Sequence, residues 1–226
     1  MIKPKKRLVK AQLKEDHFII FTAKAETWLE ANRKEVLYGF TGIILVVALG
    51  FIFNWSKANS EKTAAFEELL ARDAFARTAL DSALIRSDMI LDDFSGSPSA
   101  AVALIIKGRV FESRGEFDKA VEVYEKALED YSEEEYIGYG ACYALGTIAL
   151  GRNDFSKAAE FFDKAAAKFP KHFSAPDALV EAGKAHEKAG KFAQAKSSYR
   201  KAMGDYPKSR SADAARDNLA KLEFMP

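Results

Sequence analysis

The chain has 226 residues, 48% of them hydrophobic, so it is long enough for one folded domain and an additional segment. Its formal net charge of +1 gives no reason to expect a polyanionic partner. The single cysteine, Cys142, excludes an intrachain disulfide and a cysteine-based metal cluster, and the three histidines are scattered along the chain.

The N-terminal segment, residues 1–35, is basic, with nine Lys or Arg against five Asp or Glu. Residues 1–9 are expected to be disordered. From about residue 10 to residue 34 apolar residues recur at helical spacing and predict an amphipathic helix, with an apolar face made of Phe18, Phe21, Ala25, Trp28 and Leu29. Such a helix either lies on an anionic lipid surface, docks on a membrane partner, or is a spacer without a binding role.

Residues 36–55 form an apolar stretch without a charged side chain. A helix of that length covers about 30 Å, the thickness of the hydrocarbon core of a bilayer. Tyr38 and Trp55 fit the aromatic belt at the two membrane interfaces. We therefore predict one transmembrane helix. The alternatives are a buried core helix and a cleaved signal peptide, although the segment before the stretch is long for a signal and no A-x-A-like site follows.

Basic residues are concentrated before the apolar stretch, since only three Lys or Arg occur in the twenty residues after it. The positive-inside rule then places the N-terminus in the cytoplasm and the remainder of the chain outside. The predicted location is the bacterial inner membrane, crossed once, with the C-terminal domain in the periplasm.

Three segments after residue 100 repeat one another at intervals of 38 and 37 residues. In each, a glycine is followed by an alanine, an aromatic residue and a second alanine at fixed intervals. The glycines are Gly108, Gly146 and Gly183, and the aromatic residues are Tyr124, Phe162 and Tyr199. Self-similarity at this period predicts stacked helical hairpins, and the helix-forming composition beyond residue 57 predicts an all-α fold.

This pattern resembles the tetratricopeptide repeat family, whose 34-residue unit has a small residue at position 8, alanine at 20 and 27, an aromatic at 24 and proline at 32. In that register the repeats are 101–134, 139–172 and 176–209. The resemblance implies an α-solenoid, in which we expect the glycine at position 8 to meet the alanine at position 20 and the aromatic at position 24 to fill the space between units.

Two flanking segments are expected to complete the array. Residues 56–100 are predicted to form a degenerate helical hairpin, with Ala71 and Ala83 at the small positions. Residues 210–226 are predicted to form a capping helix that covers the last repeat. Its inward side is expected to carry Ala214, Ala215, Leu219 and Leu222.

The family resemblance implies a binding surface on the first helix of each repeat, along the concave side of the stack. The residues at those positions are Val102, Ile105, Arg109, Glu112, Tyr143, Thr147, Leu150, Val180, Lys184, Glu187 and Lys188. This surface is apolar with a basic edge and fits an extended or helical segment of another protein. A solvated surface without a ligand is the alternative.

No motif for a catalytic or phosphate-binding site occurs in the chain. We predict no enzymatic activity, no cofactor and no bound metal. Cys142 and His186 are expected to be packed in the core, and His172 lies in a predicted turn without a recognisable role. Because basic and aromatic residues are not interleaved, we also predict no nucleic-acid partner.

The order of these parts resembles the ancillary subunits of the SecYEG translocon (YfgM-like proteins). The resemblance rests on Trp28-Leu29 through Asn32-Arg33-Lys34, on the span that ends near Trp55, and on the helical domain. It implies a scaffold that links the translocon to periplasmic chaperones or exported clients. Two other classes stay open: an envelope scaffold for cell division or peptidoglycan synthesis, and an enzyme.

Overall fold

In a computed structural model of the protein, residues 9–223 are described, with side chains from residue 17 onward. Within that range the regular elements are α-helices and no strand occurs, which confirms the all-α prediction. The helices are α1 Val9–Ala31, α2 Arg33–Ala76, α3 Leu80–Asp93, α4 Pro98–Ser113, α5 Phe117–Asp130, α6 Glu135–Gly151, α7 Phe155–Lys168, α8 Ala175–Lys188, α9 Phe192–Asp205 and α10 Arg210–Glu223. The prediction of disorder for residues 1–9 lies outside the described range except at Val9, which begins α1. The last residues of the predicted capping segment, 224–226, also lie outside that range.

The chain divides into two compact units between Ala58 and Asn59. In the first unit, α1 and α2 follow each other with little interruption. The Asn32 N–H donates to the Trp28 carbonyl oxygen at 2.9 Å, and the Val36 N–H donates to the Asn32 carbonyl oxygen at 2.9 Å. Helical hydrogen bonding therefore continues through the junction.

The predicted membrane span lies within α2. By length and composition, α2 is the one helix between residues 9 and 223 that is apolar enough to cross a membrane. None of its most apolar 18-residue window is buried. This exposure differs from that of a core helix of a soluble protein, whose apolar side chains are mostly covered.

The expectation of a single apolar face on α1 does not hold. Phe18, Ile19, Ile20 and Phe21 are four consecutive apolar side chains, each at least half exposed. Because successive residues of a helix point about 100° apart, these four lie on different sides of it. Ile19 and Ile20 lie off the predicted face of Phe18, Phe21, Ala25, Trp28 and Leu29.

The second unit consists of consecutive helical hairpins. The end of α2 pairs with α3, α4 with α5, α6 with α7, and α8 with α9, and α10 follows. Each hairpin turns at a residue with positive φ, and these recur every 37 or 38 residues: Thr78, Gly115, Asn153 and Gly190. After each, the next N–H donates to the carbonyl five residues back, as from Glu116 to Phe111 at 2.9 Å. The first hairpin therefore ends its first helix in the same way as the three predicted repeats.

Thr78 is the residue least suited to this turn. Its φ is 58°, whereas Gly115 and Gly190 occupy the equivalent positions without a side chain. A β-branched residue in the left-handed region costs about 1–2 kcal/mol. We expect Thr78→Gly to stabilise the full chain by about 0.5–1 kcal/mol, after the greater freedom of glycine in the unfolded chain is subtracted. Thermal unfolding of the chain in lipid nanodiscs, followed by circular dichroism, measures this.

A glycine-to-threonine change at the equivalent turn position of the next hairpin is the matched control for Thr78→Gly. Gly115→Thr places a β-branched residue at φ 72° and should lower the unfolding temperature. If Thr78→Gly lowers the unfolding temperature as well, the backbone at Thr78 is not strained.

Each repeat glycine packs against an aromatic ring of its own hairpin. A Cβ built on Gly108 would lie 2.5 Å from Cε1 of Tyr124, and one on Gly146 would lie 2.7 Å from Cε1 of Phe162. The ring of Tyr199 stands in the same relation to Gly183. The atoms nearest to each glycine therefore belong to the aromatic at position 24, and not to the alanine at position 20 as expected. The aromatic also reaches the next unit, as expected, because Tyr124 shares a core cluster with residues of α6 and Phe162 shares one with residues of α8. One part of the ring lies over the glycine of its own hairpin, and the ring also contributes to the core shared with the next hairpin.

The last helix, α10, packs against α8 and α9. Ala215 and Leu222 are buried and Leu219 is half-buried, as expected. Ala214 is exposed, which corrects its predicted inward position, and Ala212 is buried in its place. The buried residues follow the three- and four-residue spacing of one helix face, and Ala214 lies off that face.

Candidate protein-binding groove

A groove of about 290 Å³ lies between α4 and α6, the first helices of two successive hairpins. Five of the predicted binding residues line it: Ile105, Arg109, Glu112, Tyr143 and Thr147. The structure adds four residues that the sequence reasoning did not select: Tyr124, Tyr139, Gly140 and Ala144. Because α4 and α6 contribute to the same groove, residues almost 40 positions apart form one surface.

The other predicted residues lie outside this groove. Val180 is 4% exposed and belongs to a hydrophobic core, so its prediction as a surface contact is wrong. Val102 and Leu150 are half-buried and pack against core residues. Position in the repeat identifies the helix face, but the packing of the next hairpin decides which side chains on that face stay exposed.

The three predicted residues near the end of α8 have partners within the chain. The Lys184 ammonium pairs with Glu181 at 2.8 Å, and the Lys188 ammonium lies 5.4 Å from the ring centroid of Phe155. Glu187 accepts a hydrogen bond from the Tyr199 hydroxyl. A partner at this end of the surface would have to compete with these contacts.

Glu112 and Glu187 also have a structural role. The Tyr124 hydroxyl donates to Oε2 of Glu112 at 2.8 Å, and Tyr199 donates to Glu187 in the same way. Burial raises the pKa of both tyrosines far above the ordinary value, so the hydroxyls stay protonated and act as donors. In the repeat between them the aromatic is Phe162, which has no hydroxyl. The position twelve residues before it is accordingly apolar, Leu150.

Arg109 supplies the positive charge of the groove. Its guanidinium carbon lies 4.5 Å from the ring centroid of Phe75, near the end of α2. Among residues 17–223 no carboxylate lies within ion-pair distance of Arg109. The ring contact holds the guanidinium in place and leaves its charge available to a ligand.

A row of rings fixes the α6 side of the groove. Tyr143 meets the edge of Phe162 with ring centroids 5.1 Å apart, and stacks on Tyr139 at 5.8 Å. Tyr139 in turn stacks on His172 at 3.8 Å, and its hydroxyl donates to the Ser174 carbonyl oxygen at 2.6 Å. The groove side chains are thereby tied to the connection between α7 and α8.

His172 is therefore more than a turn residue. It is 6% exposed, and its Nδ1 accepts a hydrogen bond from the Ser174 N–H at 3.2 Å. Burial lowers the pKa of His172 below its ordinary value of 6.5, against a smaller opposing effect of Glu135. The sequence carries no signal for this, because the stacking partner, Tyr139, lies 33 residues earlier.

The lowered pKa predicts a pH dependence of stability. The unfolded chain binds a proton at His172 more readily than the folded chain does. The stabilising contribution of the neutral ring is present above pH 6.5 and is lost as the pH falls through the folded-state pKa. We expect the unfolding temperature of wild type to fall more between about pH 7.5 and pH 5.5 than that of His172→Phe. Equal decreases in the two proteins would contradict the assignment.

A second polar cluster, Asp163, His186 and Ser198, lies between α7 and α9. Nε2 of His186 is 2.8 Å from Oδ2 of Asp163, and the Ser198 hydroxyl is 3.4 Å from Oδ1 of the same carboxylate. Asp163 thus stands between serine and histidine, so neither nitrogen of His186 is placed to deprotonate Ser198. Nδ1 of His186 is buried without a hydrogen-bond partner among the described residues.

Cys142 is fully buried, and burial raises the pKa of its thiol. A protonated, covered thiol is a poor nucleophile. Between residues 17 and 223 no three His, Cys, Asp or Glu side chains lie close enough together to hold a metal ion.

The hairpin geometry has a counterpart in known proteins. The family model described as tetratricopeptide repeat matches residues 64–136, 107–173 and 143–209, which together cover well over half of the chain. The chain belongs to the tetratricopeptide repeat family. The match begins at residue 64, so the first hairpin is included in the tetratricopeptide array. Tetratricopeptide repeats typically mediate protein–protein binding, and proteins built from them are generally scaffolds without catalytic activity.

Solved structures are similar in fold. A tetratricopeptide repeat protein from Parabacteroides merdae ATCC 43184 superposes with a TM-score of 0.58 at 16% identity, covering 72% of this chain and 60% of the other. A Podosopora anserina protein with nearly identical TPR-like repeats gives 0.56 at 17% identity, with 72% and 86% covered. The MamA protein gives 0.52 at 18% identity, with 71% and 88% covered.

At these identities the likeness shows the tetratricopeptide fold alone. This chain spans 60% of the length of the Parabacteroides protein. No curated protein matches the chain.

Proposed function

We propose that the protein is a non-catalytic scaffold, anchored in the bacterial inner membrane by one transmembrane helix, whose tetratricopeptide array binds other proteins outside the cytoplasm. The observation that carries the proposal is the presence in one chain of an exposed apolar helix, α2, and of a preformed groove between α4 and α6. It needs no cofactor and no nucleic acid.

The proposed orientation rests on charge. Nine Lys or Arg precede the apolar stretch, and only Lys57, Lys62 and Arg72 occur in the twenty residues after it. This asymmetry favours a cytoplasmic N-terminus and a periplasmic array. A fluorescent protein that matures only in the cytoplasm, fused after Pro226, should stay dark, whereas the same protein fused before Met1 should fluoresce. The opposite pattern would reject the orientation.

The proposed setting is the Sec translocon, as an ancillary subunit that presents periplasmic chaperones or exported clients to the groove. Its support is the order of the parts: a basic segment, an aromatic-rich helix, one apolar helix and the array. The groove residues that would meet the client are Ile105, Arg109, Tyr143 and Thr147.

Affinity purification of the tagged full chain from membranes in mild detergent tests the setting. Recovery of SecY, SecE and SecG in near-constant ratio supports it. Recovery of murein synthases or division proteins in their place would favour an envelope scaffold. A matched control is the same purification after α1 is replaced by a polar helix of equal length, which shows whether the aromatic residues of α1 contribute to the partnership.

A further inference from the structure

Gly140 is a glycine in the interior of a helix without a packing reason. It is the sixth residue of α6, where glycine is among the least favourable residues for helix formation. A Cβ added there would meet nothing within 4 Å, in contrast to Gly146, whose added Cβ would meet a ring at 2.7 Å. Since Gly140 lines the groove, its missing side chain leaves an open notch in the groove wall.

Apolar side chains line the groove together with Gly140. Ile105 comes from α4, and Tyr143 and Ala144 follow Gly140 by three and four residues on the same face of α6. Tyr143 is held by its ring contacts with Tyr139 and Phe162, so this wall is already in place before a ligand binds. A preformed apolar notch of this kind accepts one bulky apolar side chain at small conformational cost.

The charge of Arg109 indicates which kind of residue lies next to the apolar side chain in the ligand. Arg109 lines the same groove, stays exposed, and has no ion-pair partner among the described residues. Glu112, the acidic residue of the groove, already accepts the Tyr124 hydroxyl. A carboxylate in the ligand therefore complements the free guanidinium.

We propose that the notch at Gly140 binds a bulky apolar side chain from an extended segment of another protein, and that Arg109 pairs with an acidic residue adjacent to it. This inference rests on the proposed function, because it specifies what the groove selects. An extended segment fits better than a helix because adjacent side chains of an extended chain diverge, so that one enters the notch while its neighbour reaches Arg109.

The probe for this proposal is the dipeptide N-acetyl-Phe-Asp-amide, titrated into the full chain in lipid nanodiscs. The Ile105 methyl resonance is the reporter. We expect a saturable shift with a dissociation constant on the order of millimolar. N-acetyl-Ala-Asp-amide should bind at least about fivefold more weakly, because it leaves the notch empty. N-acetyl-Phe-Asn-amide should bind about threefold more weakly, because it lacks the charge.

Two variants and one control variant identify the residues involved. Gly140→Leu fills the notch and should weaken the binding of N-acetyl-Phe-Asp-amide about tenfold or more. It should not lower the unfolding temperature. Gly204→Leu is the matched control: Gly204 is also a helical glycine whose added Cβ meets nothing within 4 Å, but it lies on α9, away from the groove. Arg109→Gln should make the Asp and Asn probes bind equally.

The proposal is overturned if Gly140→Leu binds the probe like wild type, if the Ala and Phe probes bind equally, or if no saturable shift occurs up to about 10 mM probe. If Gly140→Leu does not fold, the difference in affinity between the Phe and Ala probes on wild type still tests whether the notch binds a bulky apolar side chain. These failures reject the notch alone. Failure of the groove to contact proteins in cells would reject the proposed function, whichever way the probe behaves.

Discussion

Gly146→Leu is expected to destabilise the array by about 1–3 kcal/mol, because any side chain at this position must displace the ring of Phe162. A Cβ on Gly146 would lie 2.7 Å from Cε1 and 2.9 Å from Cδ1 of that ring. Phe162 is 1% exposed and also packs against the ring of Tyr143, so the Phe162 ring has little space to move. Thermal and denaturant unfolding of the full chain in nanodiscs measures the loss.

A double variant shows whether the ring of Phe162 is the obstacle. Phe162→Ala alone should cost about 3–5 kcal/mol. In Gly146→Leu/Phe162→Ala, the leucine occupies part of the volume that the ring leaves, so the combined loss is smaller than the sum of the two. Gly204→Leu, which adds the same side chain where nothing lies within 4 Å, should cost nothing. Strict additivity of the two changes would show that Gly146 and Phe162 are not in contact.

Ala215→Asp is expected to release α10 from the array. Ala215 is fully buried, so an aspartate there would place an unpaired carboxylate in the core, at a cost of about 3 kcal/mol or more. Undocking of α10 avoids that cost but exposes the apolar cluster that contains Tyr199 and Leu222. Trypsin should then cut at Lys208, in the connection before α10, or at Arg210, the first residue of α10, at a concentration that leaves wild type intact.

The neighbouring residue provides the control for this change. Ala214 is exposed, so Ala214→Asp should leave the unfolding temperature and the trypsin pattern of wild type unchanged. If Ala214→Asp releases α10 and Ala215→Asp does not, the face of α10 that packs on α8 and α9 has been assigned wrongly.

The hairpin array could be predicted from sequence because its signals are local and repeated. The three glycines, with their alanines and aromatics at constant spacing, determine the register, and that register places Ala71 and Thr78 in a fourth, degenerate unit. A further repeated signal was missed: each second helix is followed by an aromatic residue, Phe94, Tyr131, Phe169 and Tyr206. These rings recur at the same interval as the turn residues and could have supported the first hairpin.

The contacts between distant residues could not be predicted in the same way. The register states which residues share a helix face, but it does not state what packs on that face. Val180 matches Ile105 in register, yet it is covered by core residues, whereas Ile105 lines the groove. His172 gave no signal because its role depends on stacking against Tyr139. Gly140 was passed over because a glycine has no side chain to place in a binding pattern.

Photo-crosslinking in living cells tests whether the groove between α4 and α6 is the surface that binds other proteins. A photoreactive amino acid is placed at Ile105 or Thr147 in the groove, and at Lys126 or Lys164, which are exposed on the second helices α5 and α7. We expect discrete adducts with the same partner polypeptides from both groove positions, and none from the two lysine positions. If adducts form at the two lysine positions and none form at Ile105 or Thr147, the groove is not the surface that binds other proteins.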